Sequence, residues 1–490
     1  MARPLSSLLE DARLAAQALR DFGEHLRHPT IRLGVTGLSR AGKTVFITAL
    51  VHGLVRGGRF PVFDALATGR IAGGRLEPQP DDTVPRFDYE PHLRALISER
   101  RWPASTTDIS ELRLAIDYQS TKGAERTLTL DIVDYPGEWL LDLPLLELSY
   151  RQWASQSLSL SRAAPRAALA AEWQAHLSTL DPLAPADEQA AMTAARLFTD
   201  YLKACRDERF ALSLLPPGRF LLPGAMAGTP ALTFAPLDLP ADGEPPSGSL
   251  WAMMQRRFEA YKSGIVRPFF RDHFARLDRQ VVLVDALAAF NAGPDALRDL
   301  EAAMSAILDC FRVGRRTLVS SLIRPRIDRI LFAATKADHL HQVSHDRLEA
   351  ILSRMMRDAG ARAGATGAQT DAVAIAAVRA TREAQVTRGR ERLPAIIGTP
   401  IAGETSGGET FDGATEVATF PGDLPADLEA LFAEGGAGFR GLSATAADQA
   451  DFRFLRFRPP VLAAVPPEQP SLPHIRLDRA LQFLIGDRLT

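Results

Sequence analysis

Eight residues constrain this chain more than any others: Gly37, Leu38, Ser39, Arg40, Ala41, Gly42, Lys43 and Thr44. They spell G-x-x-x-x-G-K-[ST], a loop built to wrap an anion. An apolar run from Ile31 to Thr36 precedes it and reads as a strand. A run from Val45 to Val51 follows and reads as a helix. Strand, loop and helix in that order are the setting the pattern requires. Gly37 and Gly42 let the backbone fold tightly with its N–H groups pointing inward. The following helix adds the positive end of its dipole. The expected phosphate cradle covers Gly37, Ser39, Arg40, Ala41, Gly42, Lys43, Thr44 and Val45. Lys43 is expected to bring catalytic charge to the β- and γ-phosphates, and the Thr44 hydroxyl to ligate Mg²⁺. The loop alone does not choose between ATP and GTP.

A chain of 490 residues is too long for one small core, so two or three structural units are expected. Its 46% hydrophobic and 24% charged content is ordinary for a globular protein. A net charge of −2 gives no basic field, and no nucleic-acid partner is expected. Cys205 and Cys310 lie far apart without metal-ligand spacing, and read as buried free thiols in a reducing compartment. The N-terminus lacks a long apolar stretch, and no apolar run approaches the length of a membrane span. A cytoplasmic location is expected.

Residues 5–27 carry Leu8, Leu9, Leu14, Leu19, Phe22 and Leu26 at helical spacing, opposite a face of mixed charge. That balance favours a helix packed on the next unit over one lying on a membrane. Residues 59–110 are rich in Pro, Gly and Asp and read as irregular. Glu111–Tyr118 and Leu128–Asp134 alternate or run apolar around a turn at Lys122-Gly123, as an antiparallel hairpin does. Residues 144–207 and 250–275 read as helical. The stretch 215–248 holds eight prolines and reads as loop. Apolar strands resume at Gln280–Asp285, Arg329–Ala334 and Ala372–Ala377, with helical segments between them. Such alternation implies a parallel sheet with helices on both faces. His474–Ile485 reads as a terminal helix.

Asp134-Tyr-Pro-Gly137 ends the second hairpin strand. A carboxylate at the tip of an apolar strand beside a phosphate loop is the Mg²⁺-side partner, acting through water. The Gly137 N–H is placed to reach the γ-phosphate. Thr335-Lys-Ala-Asp338 follows a strand and matches [NT]-K-x-D. Guanine offers N1–H and a 2-amino group side by side, and the Asp338 carboxylate can accept from both. Adenine would leave that carboxylate unpaired. Lys336 can lay its stem over the base. Ala377 and Val378, after the last strand, are the candidates to give backbone N–H groups to the guanine carbonyl.

Thr106 or Thr107, ahead of the hairpin, is where a switch loop would meet Mg²⁺ and the γ-phosphate. Glu138 stands where many GTPases carry a glutamine that orients water, and its charge opposes the γ-phosphate. Arg100 and Arg101 precede the switch threonine; solvated side chains are the plainer reading for both than an arginine finger. His339, His341 and His345 lack nearby cysteines and read as a solvated helix start rather than a metal site.

Leu33–Leu50, Asp131–Leu140, Gln280–Leu287 with Asn291–Gly293, and Ala334–Leu340 together resemble the YcjX-like family of bacterial P-loop GTPases. The similarity extends through Phe457–Pro460 and the closing helix. It implies a Ras-like core that binds GTP or GDP with Mg²⁺, and a large, mostly helical insertion. It also implies a link to stress responses in Gram-negative bacteria and a gene neighbourhood shared with a membrane protein.

The expected fold is α/β, a P-loop NTPase whose mostly parallel sheet has one antiparallel edge strand. An N-terminal helix (1–27) precedes a core split into 28–142 and 276–400. A helical insertion occupies 143–275, and 401–490 packs back on the core. The expected function is a regulatory GTPase with guanine nucleotide as ligand. A protein partner, membrane-associated in the family picture, is expected at the switches or the insertion. A nucleotide-stabilised scaffold with negligible hydrolysis and an ATP-using enzyme are the alternatives. Asp338 argues against the second of these.

Overall fold

The computed structural model describes residues 29–38, 40–311, 327–364, 368–388, 391–406, 408–425, 427–432, 454–462 and 471–490. The expected helix at 5–27, and Ser39 of the loop, lie outside the described residues. Seven strands form the central sheet: β1 (Thr30–Gly37), β2 (Ile71–Glu77), β3 (Ser110–Gln119), β4 (Glu125–Asp134), β5 (Arg279–Val284), β6 (Arg329–Ala334) and β7 (Gln369–Ala374). Their order is β2-β3-β4-β1-β5-β6-β7. β1 pairs in parallel with β4 and β5, and the parallel run continues through β6 and β7.

β3 is the strand that runs against the others, and it lies one place inside the edge. β2 covers it, pairing antiparallel with β3. Residues 59–110 read as irregular because β2 contains Gly73 and Gly74 and is only half-buried. Gly74 is there for a steric reason: a Cβ at this position would sit 2.6 Å from the Leu54 carbonyl oxygen. The edge strand thus lies directly on the helix Lys43–Arg56.

The register sets the chemistry level along one end of the sheet. Val35 pairs with Asp134, Gly37 with Leu283, and Ala334 with both Val284 and Ala374. The loop after β1, Asp134, Asp285, Thr335 and Ile375 therefore emerge together at the C-terminal ends of the strands. β1 is central, and the chain leaves it toward β4 and later returns on its other side as β5. That topological switch point is where open α/β sheets bind ligands.

Alternate residues of β4, β5, β6 and β7 enter two apolar cores, and β1 and β3 contribute to the first of them. Leu33, Val35, Ile132, Val281, Leu283, Leu331 and Val373 face Phe46, Leu50, Leu481 and Leu484. The C-terminal helix Leu477–Ile485 thus packs on the same face as the helix after the loop. Val133, Val282, Val284, Phe332 and Ala374 face helices Pro294–Cys310 and His345–Gly364 and the helical segment between β4 and β5. Aromatic side chains fill that segment: Trp153 stacks on Phe258 at 5.1 Å and Trp173 on Tyr201 at 5.4 Å between ring centroids. Buried Arg166 pairs with Asp299 on Pro294–Cys310, tying the segment to the sheet layer. Both cysteines are buried and free.

A smaller antiparallel sheet, Arg382–Arg388, Glu391–Gly398 and Val417–Thr419, follows β7. Its charged alternation and Pro394 gave no strong strand signal. Among the described residues no helix is long and apolar enough to cross a membrane.

Candidate functional site

The loop between β1 and Lys43–Arg56 is shaped by three backbone facts. Gly42 caps the helix with φ 78°. Arg40 also has a left-handed backbone, at φ 60°, which costs a non-glycine residue about 1–2 kcal/mol. Ala41 N–H donates to the Leu38 carbonyl at 3.0 Å, closing the turn. Gly37 is needed because a Cβ there would come within 2.9 Å of the Leu283 side chain.

Gly137 is pressed against the same loop: its Cβ would stand 2.5 Å from the Gly37 carbonyl oxygen. Thr36 fixes this contact by donating its hydroxyl to the Tyr135 carbonyl at 3.1 Å. Tyr135 in turn donates its phenol O–H to Gln280 at 2.7 Å, beneath the sheet end.

The Thr44 and Thr106 hydroxyl oxygens lie 3.3 Å apart. Thr107 is exposed at the rim and has no such contact with Thr44. Asp134 lies below, fully buried, and among the described residues neither carboxylate oxygen has a hydrogen-bond partner. Burial raises its pKa, while Lys43 and the nearby Thr106 hydroxyl pull it down. A buried carboxylate without partners is costly unless a cation or water completes it. Two hydroxyls and this carboxylate fit a hard cation such as Mg²⁺, which also takes water and phosphate oxygens. Among the described residues no group of three or more His, Cys, Asp or Glu could hold a metal by itself.

Thr335 donates its N–H to the Val284 carbonyl at 2.9 Å. Lys336 adopts φ 61° and pairs with Asp285. Asp338 is 3% exposed, and its Oδ2 accepts the Ala380 N–H at 2.8 Å. This bond orients the carboxylate and leaves lone pairs for a ligand. Ala376 exchanges both backbone bonds with Ile475. Among the described residues, the Ala377 and Val378 N–H groups donate to no other backbone group.

These pieces line one cleft of about 460 Å³, a volume suited to a small organic ligand. Arg40 through Phe46, Thr106, Thr107, Glu138, Thr335, Lys336, Asp338, Ala377 and Val378 all face it. Gly37, Asp134 and Gly137 do not line it; they lie behind the loop.

Glu138 is 4% exposed, and its backbone is covered by the helical segment: a Cβ on Gly218 would reach within 2.0 Å of the Glu138 carbonyl oxygen. The turn Gly137–Glu147 continues as a mostly buried 3-10 helix. Arg219 lies over the Trp139 ring at 3.1 Å from its centroid. Asp142 accepts the Tyr261 O–H and the Gly218 N–H, both at 2.6 Å.

Arg100 donates to the Pro459 carbonyl and Arg101 pairs with Glu99, and neither lines the cleft. Two of the three histidines are not solvated as expected. His339 and His345 are buried, and burial lowers the pKa of both. His339 packs edge-on against Phe457 at 5.5 Å.

Sequence reasoning missed Trp102, Arg206, Glu208, Leu222, Ile401, Arg456 and Phe457, which also line the cleft. Trp102 donates its indole N–H to the Phe457 carbonyl at 2.6 Å, so a distant C-terminal segment closes the cleft beside Thr106. A local motif search has no signal for contacts made across such distances in the chain.

The sheet, the loop at its switch point and the cleft define an α/β protein built around a phosphate-binding loop. Within that class the chain belongs to the YcjX-like family, DUF463, whose model matches residues 31–489. It is 40% identical over 475 residues to a protein of Escherichia coli (strain K12) called Ras-like GTPase YcjX, covering 94% of this chain and 96% of that protein. It is 36% identical over 490 residues to a Shewanella oneidensis (strain MR-1) protein of the same name, covering 94% of each.

Proposed function

We propose that this chain is a GTP- and GDP-binding regulatory GTPase that changes conformation when Mg²⁺-bound GTP is hydrolysed. One observation carries the reading: the phosphate loop, the Thr44–Thr106 pair and Asp338 open into a single cleft. The names borne by the two relatives support it. The loop from Gly37 to Val45 cradles the phosphates, and Lys43 neutralises their charge. Asp338 accepts the guanine N–H groups, Lys336 covers the base, and the Ala377 and Val378 N–H groups meet its carbonyl. Thr44, Thr106 and, through water, Asp134 hold Mg²⁺, which neutralises charge developing on the phosphates. The Gly137 N–H follows the terminal phosphate.

The division of labour along the chain is part of the proposal. Residues 28–142 and 276–400 form the nucleotide-binding core, 143–275 an inserted helical unit, and 401–490 a closing segment. A protein partner binds at the switches or the insertion. The resemblance adds a stress-related role and a membrane-associated partner, and the composition of the chain adds a cytoplasmic location, peripheral to the inner membrane where that partner holds it.

Glu138 sets the rate. Its carboxylate opposes the γ-phosphate, so intrinsic hydrolysis is slow, below about 10⁻² s⁻¹. The same residue, with the buried turn behind it, supports a second reading as a nucleotide-stabilised scaffold that scarcely hydrolyses GTP. Single-turnover hydrolysis separates the two. A slow rate that needs Mg²⁺ and falls at least tenfold in Lys43→Ala, about 1.4 kcal/mol, supports the GTPase. Binding without turnover supports the scaffold. Equal binding and turnover in Lys43→Ala contradicts both.

A further inference from the structure

Three parts of the chain meet at the mouth of the cleft through four charged side chains. Arg40 belongs to the phosphate loop, and Glu208 follows the helix Glu188–Arg206 of the inserted segment. Arg456 and Glu404 come from the C-terminal quarter. The Glu208 carboxylate pairs with both Arg40 and Arg456, the latter at 2.6 Å. Arg456 has a second anchor, since Glu404 accepts its backbone N–H at 3.1 Å and its Nε at 2.7 Å. Arg40 pairs with Glu208.

Several features set Arg40 apart. It is the third residue before Lys43, on the loop itself. It adopts a left-handed backbone that arginine does not favour, and such strain concentrates at functional positions. Half of its side chain is exposed, so it is free to turn. Burial lowers its pKa, with Arg206 and Arg456 adding to the effect and Asp207 and Asp285 opposing it.

We propose that Glu208 holds the place of a phosphate: when a nucleoside triphosphate enters, Arg40 exchanges the Glu208 carboxylate for phosphate oxygens, releasing the inserted helices from the loop. The inference rests on the functional reading given above. Arginine suits the exchange because its planar fork matches carboxylate and phosphate alike. Arg456 keeps both Glu208 and Glu404 throughout, so the insertion and the C-terminal segment stay joined while the phosphate loop is freed.

The test titrates nucleotide-stripped full chain with GDP and a non-hydrolysable GTP analogue in Mg²⁺. Arg40→Ala weakens the analogue at least tenfold and GDP less, with Arg40→Lys between it and wild type. Glu208→Gln, by removing the competitor, tightens the analogue by about two- to fivefold, the scale of an exposed ion pair. That gain is absent in the Arg40→Ala background. Unchanged affinity in Arg40→Ala overturns the inference, as does a Glu208→Gln gain that survives without Arg40. In either case wild-type guanine binding leaves the functional reading standing. A wild-type chain that takes no guanine nucleotide removes the reading and the inference together.

Discussion

At the scale of single residues, the site combines one unbalanced carboxylate with tightly constrained backbone. Asp134 is buried with both oxygens unpartnered, Arg40 and Lys336 hold left-handed backbones, and Gly137 leaves no room for a Cβ against Gly37. Most of these residues were legible because their meaning is local. A glycine-lysine-threonine loop after a strand, or an aspartate at a strand tip, carries its geometry within a few positions. The choice between Thr106 and Thr107 was not legible, since both belong to one loop and the sequence does not say which turns inward. The structure brings the Thr106 hydroxyl to Thr44. Thr106→Ala is therefore expected to weaken Mg²⁺-dependent binding of a GTP analogue about tenfold, or about 1.4 kcal/mol, with Thr107→Ala close to wild type. Calorimetric titration of both variants checks this, and the reverse ranking would reassign the switch threonine. Glu138→Gln removes a like charge from the phosphate side. Its single-turnover rate is expected to equal or exceed that of wild type. A large loss with binding intact would show the carboxylate itself activating water.

At the scale of elements, the turn after β4 departs most from a free switch. Gly137–Glu147 is packed under the inserted helices, with Asp142 as its polar anchor. Burial pushes the Asp142 carboxyl from 3.8 up to about 6, against the pull of the Tyr261 and Gly218 hydrogen bonds. A carboxyl raised on folding contributes stability that is fully present below its unfolded pKa and lost as pH rises through the folded one. The full loss across that window is about 3 kcal/mol. Between pH 5 and pH 7.5 the remaining part is about 1 kcal/mol. Unfolding free energies of wild type and Asp142→Asn, measured at these two pH values, should shift by that amount in favour of Asn at the higher pH. A constant difference would mean that Asp142 does not titrate in this window. The sequence pointed to helices at 144–207 and 250–275, but not to their seat on this turn. That seat depends on Gly218 approaching the Glu138 carbonyl from 80 residues away. β2 was hidden for a related reason: its glycines serve contact with a helix rather than strand propensity.

At the scale of the whole molecule, the cleft is assembled from the first strand, the insertion and the C-terminal quarter. The loop and the base motif come from the sheet, Arg206 and Glu208 from the helices, and Ile401, Arg456 and Phe457 from the end of the chain. A ligand bound there touches every part, so it should stabilise the folded chain as a unit, by about 2.7 kcal/mol at a hundredfold excess over Kd. The central claim is that this ligand is a guanine nucleotide read by Asp338. Competition of GDP, XDP and ADP on nucleotide-stripped wild type and Asp338→Asn tests it most directly. Wild type should prefer GDP over ADP by at least tenfold, about 1.4 kcal/mol. Asp338→Asn should bind GDP worse and XDP better, because the new amide donates to the xanthine 2-carbonyl. A wild type that prefers ADP, or a ranking that Asp338→Asn leaves unchanged, would contradict the account.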